Sequence, residues 1–230
     1  MKGIAAILAI CLSLTSVGVA EQQLTIPSDD FDFGLVPQYG TVKHHFWFKS
    51  TGSDTLKLGK ITTGCTCALM PLDKTVLPPG DSMLVGLTWD VGRAIGKTSR
   101  YPRAAYEGPD SPAYMIVRCL VVQHADSIRP LTVKPHRLSL SKTGMVDVDS
   151  LEFVLINWDN QNDLVATELN LPVEECEYSI PDTIPAAGRV AGWIKVRPEY
   201  ADKEFNSSIT LQLSDARKTR ITIPIQRKFF

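Results

Sequence analysis

The stretch "VKHHFWFKSTGSDTL", Val42 to Leu56, holds the reading that decides the fold. Val42, His44, Phe46 and Phe48 alternate with Lys43, His45, Trp47 and Lys49. Period two sends successive side chains to opposite faces of a sheet. Ser50-Thr51-Gly52-Ser53-Asp54 then breaks the run with turn-forming residues. The same grammar returns in "FVLINWDNQNDL", Phe153 to Leu164, about 107 positions later.

Other segments repeat at nearly the same offset. Leu24-Thr25-Ile26 returns as Leu131-Thr132-Val133, and Phe31 and Phe33 as Leu138 and Leu140. "VLPPGDSMLVGLTW" (76–89) is echoed by "TIPAAGRVAGWIKV" (183–196), with Gly80 answered by Gly188. Two copies of one unit, each about a hundred residues long, follow from this. Alternation also marks Met115, Val117, Cys119 and Val121, then Ile209, Leu211 and Leu213, then Ile221, Ile223 and Ile225. Turn signals at Pro78-Pro79-Gly80-Asp81, Gly108-Pro109-Asp110 and Ser214-Asp215 separate the strands. Roughly seven short strands in about a hundred residues predict an immunoglobulin-like sandwich, twice over. The expected fold class is all-β: two tandem immunoglobulin-like β-sandwich domains after an N-terminal signal peptide. The expected boundaries are 1–20 for the signal, 21–125 for the first sandwich and 130–230 for the second. The polar join at Ala125 to Pro130 is short, which limits freedom between the halves.

The start of the chain reads as an export signal. Lys2 precedes an apolar run from Ile4 to Leu14, and Gly18-Val19-Ala20 forms a small-x-small site before Glu21. The run is shorter than the roughly 20 residues of a membrane span. No other segment is long and apolar enough to cross a bilayer, so no transmembrane anchor is expected after cleavage. A periplasmic, cell-envelope or secreted location follows. The net charge is −1, which offers no excess of cations to neutralise many phosphates and excludes a nucleic-acid partner. Hydrophobic content of 44% is enough to build cores, which excludes wholesale disorder.

The first copy resembles a bacterial family catalogued as domain of unknown function number 1573. The resemblance rests on Phe31, Phe33, Gly34, Gly40, Val42, His44, Phe46, Phe48, Ser50, Thr51, Gly52, Cys65, Cys67, Pro79 and Gly80. It runs from Phe31 to about Val122. It implies an exported protein with a sandwich like those of hydin, major sperm proteins and periplasmic pilus chaperones. It implies no settled biochemical activity. The family's Cys-Gly-Cys-Thr pattern departs here at Thr66 and Ala68. Glycine between two cysteines admits backbone conformations that threonine resists, whereas a strand tolerates threonine.

Cys65 and Cys67 are the candidate chemistry. On a strand they would share a face, and two thiolates there suit a soft ion such as Cu(I) or Zn, with His44 as a third ligand. The same pair suits a thiol-redox role, because a bridge across one residue is strained. The third reading is structural: Cys65, Cys67, Cys119 and Cys176 can pair in three ways as sandwich staples. Cys176 answers Cys67 in the repeat.

Arg93, Lys97, Arg100 and Arg103 form a small basic stretch suited to an acidic or glycan contact. Gly92 to Thr98 imitates a phosphate-binding loop but has three residues between its glycines where the motif has four. Neither a nucleophile-elbow nor a His-Glu-x-x-His motif is present. No enzyme and no cofactor are expected. The functional expectation is an adhesion, assembly or protein-interaction module at the cell envelope, with a Cu or Zn binder or thiol-redox protein as the alternative.

Overall fold

Apolar residues at every second position need a partner sheet to cover them, and the chain supplies one for each half. The computed structural model describes residues 20–171 and 174–230; the expected signal segment thus lies outside the described residues up to Val19. In the first half, Leu24–Thr25, Thr41–Ser50, Ser82–Asp90 and Ala68–Leu69 form one four-stranded sheet in that order. In the second half the equivalent order is Leu131–Lys134, Ser150–Asn157, Arg189–Val196 and Cys176–Ser179. The two sheets match strand for strand, as the repeat requires. Buried apolar residues separate into two cores, one drawn from residues 24–121 and the other from 125–225. The chain is two tandem immunoglobulin-like sandwiches. Among the described residues the helical elements are two short 3-10 turns, Ala125–Ser127 and Pro198–Tyr200, and no helix is long and apolar enough to cross a membrane.

One strand that is continuous in the second copy is broken in the first. In the second half Phe205–Leu213 is continuous and pairs on both sides, with Arg220–Phe229 and with Leu164–Asn170. In the first half the corresponding run is split at Tyr101-Pro102. Gly96–Arg100 pairs with Ile116–Val122, and Arg103–Tyr106 crosses to Leu56–Thr62. Proline carries no N–H for a ladder, so a strand breaks there at little cost.

The sandwiches are joined by more than the linker. Asp30–Pro37 pairs in parallel with Ile116–Val122 on one side and meets Arg220–Phe229 on the other, through Leu35 and Ile221. A single nine-stranded sheet therefore runs through both halves. Where the strands meet, Asp32 faces Arg118 but Leu35 faces Leu120, so one extra residue bulges out. Gly34 takes the left-handed conformation, φ +66°, that this bulge needs.

Hydrogen bonds seal the junction. Thr222 Oγ1 donates to the Phe33 carbonyl at 2.6 Å. Asn170 Nδ2 donates to the Lys43 carbonyl at 2.8 Å, and Lys43 N–H donates to Ser208 Oγ at 3.0 Å. Lys43 Nζ meets the buried carboxylate of Glu175 at 2.6 Å. Since Asn170 uses Nδ2 as donor, its Oδ1 accepts, and His44 Nδ1 at 3.3 Å carries the proton. The His44 ring stacks on Phe31 at 3.7 Å between centroids.

This packing sets a pH dependence. Burial lowers the His44 pKa to about 4; the Asn170 hydrogen bond pulls the other way and His45 adds to the lowering. The unfolded chain takes up this proton near pH 6.5, so it binds more protons than the folded chain between those values. The His44 contribution is complete above about pH 6.5 and is lost as pH falls toward 4, about 3 kcal/mol in all. Denaturant midpoints between pH 7 and pH 4.5 check this; His44→Phe is expected to flatten that part of the profile.

Candidate functional site

The Cys65–Cys67 segment lies in a turn between Leu56–Thr62 and Ala68–Leu69. It is not in the extended conformation that a shared metal-binding face for the two cysteines requires. Gly64 turns the chain at φ +80°, with no atom within 4 Å of where a Cβ would stand. Thr63 Oγ1 lies 2.9 Å from the Cys65 carbonyl and 2.8 Å from that of Ala68, sharing its single proton. Asp90 N–H donates to the Cys67 carbonyl at 2.9 Å and docks the turn on the Ser82–Asp90 strand. Cys65 and Cys67 are joined as a disulfide, with Thr66 between them. Both are half-buried.

Arg100 sits against this bridge. Its Nε donates toward Cys65 Sγ at 3.3 Å and Cys67 Sγ at 3.4 Å. Its Nη1 donates to the Ser99 carbonyl at 2.7 Å, and its guanidinium lies 5.1 Å from the centroid of the Trp89 ring. Trp89 is wholly buried, so the cation rests on a fixed platform.

Cys119 and Cys176 are buried free thiols, one in each core. Burial first, and the Asp32 carboxylate second, push Cys119 up to about 12, with Arg100 opposing. Burial first, and Glu175 second, do the same for Cys176, with Arg197 and Arg227 opposing. Both stay protonated at neutral pH, and thiols in that state are poor nucleophiles and poor ligands.

The structure does not bring His44 to the cysteines as a third metal ligand. Its Nδ1 is spent on Asn170 and its ring on Phe31, while the two sulfurs are spent on each other. Among the described residues no group of three His, Cys, Asp or Glu side chains is placed to hold a metal ion.

The four basic residues of 93–103 do not form one patch. Arg93 is in a turn where its carbonyl accepts from Gln38 Nε2, and Arg103 lies opposite Thr62 and Tyr114. Arg100 faces the disulfide. Lys97 alone of the four lines a concave cleft of about 710 Å³ that spans the shared sheet between the two halves. The other cations there come from distant segments: Arg118, Arg129, Arg217, Lys218 and Arg220. Arg118 pairs with Asp30, Arg220 donates to Gln212 Oε1 and the Asp32 carbonyl, and Arg129 stacks over Trp158. Lys97, Arg217 and Lys218 are exposed and have no ion-pair partner among the described residues. The sequence signal for this cleft was Arg217-Lys218-Thr219-Arg220 at a hairpin tip, a cluster that sequence reading passed over.

The glycine-aromatic strand, the Cys-x-Cys turn and its docking strand all fall within one matched segment. Residues 24–108 match the model of the family described as "Protein of unknown function (DUF1573)". The DUF1573 match spans the cysteine turn, Arg100 and Lys97, and none of the second sandwich. No curated protein matches the chain. Among solved structures, the chain is similar to a protein of unknown function from Porphyromonas gingivalis W83, at 12% identity and TM-score 0.36, over 89% of this chain and 98% of that one. It is similar to the ASH / PapD-like domain 7 of human CEP192, at 7% identity and TM-score 0.39, over 54% and 98% of the two chains. It is also similar to WR4, a C. elegans MSP family member, at 5% identity and TM-score 0.30, over 45% and 100%.

Proposed function

We propose that this chain is an exported interaction module of the cell envelope whose basic interdomain cleft receives an acidic segment of a partner protein. One observation carries the reading. Six cations from both sandwiches converge on one concave face, in a chain whose net charge is −1, and three of them lack a partner among the described residues. Cations left unpaired on a concave surface raise the local concentration of anionic ligands and guide their approach. The shared sheet supports the reading as well, because it holds the two walls of the cleft at a fixed spacing and lowers the ordering cost of binding.

The test is anisotropy of a fluorescent Asp/Glu-rich peptide titrated with the purified chain. Binding is expected to weaken steeply between about 0.05 and 0.3 M salt, as screened surface charges require. Reversing three charges together, in Lys97→Glu/Arg217→Glu/Lys218→Glu, is expected to weaken it at least tenfold at low salt, about 1.4 kcal/mol. The three side chains are exposed, so the fold should be unaffected. Equal binding by the triple variant would remove the cleft from the function.

A further inference from the structure

Beyond the cleft, we propose that Cys65–Cys67 is a thiol–disulfide exchange site, with a protein dithiol as substrate and Arg100 as the residue that holds the leaving thiolate. The Arg100 Nε lies 3.3 and 3.4 Å from the two sulfurs. A disulfide sulfur is a weak, neutral acceptor, so this contact contributes little to the oxidised state. On reduction one sulfur becomes a thiolate, and the same N–H then makes a charge-assisted bond, roughly twice as strong as a neutral one. The guanidinium therefore favours the reduced form and lowers the pKa of the departing thiol, which makes it a better leaving group. Because Nε is almost equidistant from the two sulfurs, either can leave beside it.

Position supports the chemistry. The bridge lies on a half-buried turn, and Cys65 lines an open groove of about 1070 Å³ with Leu58, Ile61, Leu69 and Met70, which gives an attacking thiol a path. Trp89 and the Ser99 carbonyl hold Arg100 in place before any substrate arrives. Cys119 and Cys176, buried and held protonated, stay out of the exchange.

The step balances as follows. A thiolate of the partner dithiol attacks one sulfur of the bridge. The Cys65–Cys67 bond breaks, and the other sulfur leaves as a thiolate beside Arg100. The partner's second thiol gives its proton to solvent and attacks the mixed disulfide, releasing the first sulfur. The partner ends as a disulfide and this chain as a dithiol, with two electrons transferred and the two protons divided between the new thiols and solvent.

The experiment equilibrates the folded chain with glutathione redox buffers and reads Cys65 and Cys67 by alkylation and mass. Reduction is expected without unfolding. Arg100→Gln is expected to raise about tenfold the value of [GSH]²/[GSSG] at the midpoint. In the reduced chain, the iodoacetamide rate against pH is expected to report one thiol below the ordinary value of about 8.5, shifted upward in Arg100→Gln and partly restored in Arg100→Lys. Circular dichroism confirms that each variant is folded. An unchanged midpoint and alkylation profile in folded Arg100→Gln would overturn the proposal. So would a bridge that is reduced only when the chain unfolds. If Arg100→Gln does not fold, the parent's alkylation profile decides: a thiol at its ordinary pKa rejects the proposal and a depressed one supports it.

Discussion

Gly34→Ala is expected to destabilise the chain by about 3 kcal/mol or more, for two reasons that act together. The residue sits at φ +66°, where an L side chain costs about 1–2 kcal/mol. A Cβ there would also stand 2.2 Å from the Arg220 carbonyl oxygen and 2.4 Å from Arg220 Cβ. Most of what it meets is backbone, at the start of Arg220–Phe229, so the methyl can be relieved only by moving that strand away from Asp30–Pro37. The Gly34 N–H is further tied by the Asp32 carboxylate at 2.7 Å, which leaves the bulge little room to adjust. The damage is thus aimed at the seam between the sandwiches. Gly64→Ala is the matched control. It has φ +80° with nothing within 4 Å, so only the backbone penalty applies, about 1 kcal/mol. Denaturant unfolding of both variants separates the two contributions. Equal losses would show that the seam yields freely.

Trp89→Ala is expected to cost about 3–5 kcal/mol, the range for truncating a large buried aromatic. Trp89 is among the largest fully buried side chains and lies 6.3 Å from the Phe33 ring. Its backbone pairs with Val42 and Ala68, which places it under both the central strand and the cysteine turn. Trp89→Phe is expected to be much milder. The indole N–H is buried and meets no acceptor among the described residues, an arrangement that itself costs about 1–3 kcal/mol. Phenylalanine removes that burden while keeping most of the ring. The two variants also differ at Arg100: alanine removes the platform beneath the guanidinium, and phenylalanine keeps one. Denaturation midpoints check the stability order. Glutathione midpoints check whether loss of the platform reproduces the effect of Arg100→Gln.

The strands were legible wherever one face is apolar and the other meets water. Phe46, Phe48, Val117, Val121, Ile221 and Ile223 all lie in the core that their alternation implied. The junction was not legible, because its residues imitate a solvent face. Ser208, Thr210 and Thr222 alternate with Ile209, Leu211, Ile221 and Ile223 and look exposed, yet all three are buried. Short hydroxyl side chains can be buried there because each finds a nearby partner, such as the Phe33 carbonyl for Thr222. The Cys-x-Cys turn was open to two readings for a related reason. Threonine between the cysteines disfavours a tight loop and is tolerated by a strand, but Gly64 before them supplies the bend. Arg100 could be singled out as basic but not placed against sulfur, since that depends on how Gly96–Arg100 lies beside the turn. The cleft needed side chains from both halves, and no local window contains them.

The order in which the polypeptide emerges gives the shared sheet one more consequence. Leu35 waits for Ile221, so the first sandwich leaves the ribosome long before its neighbouring strand exists. Until Arg220–Phe229 arrives, one side of Asp30–Pro37 presents bare amides and carbonyls, which attract any passing strand. A chain cut short before Arg220 would keep that flank open for its whole lifetime. Clumping of such truncated chains, rather than simple loss of the second half, is the outcome to expect.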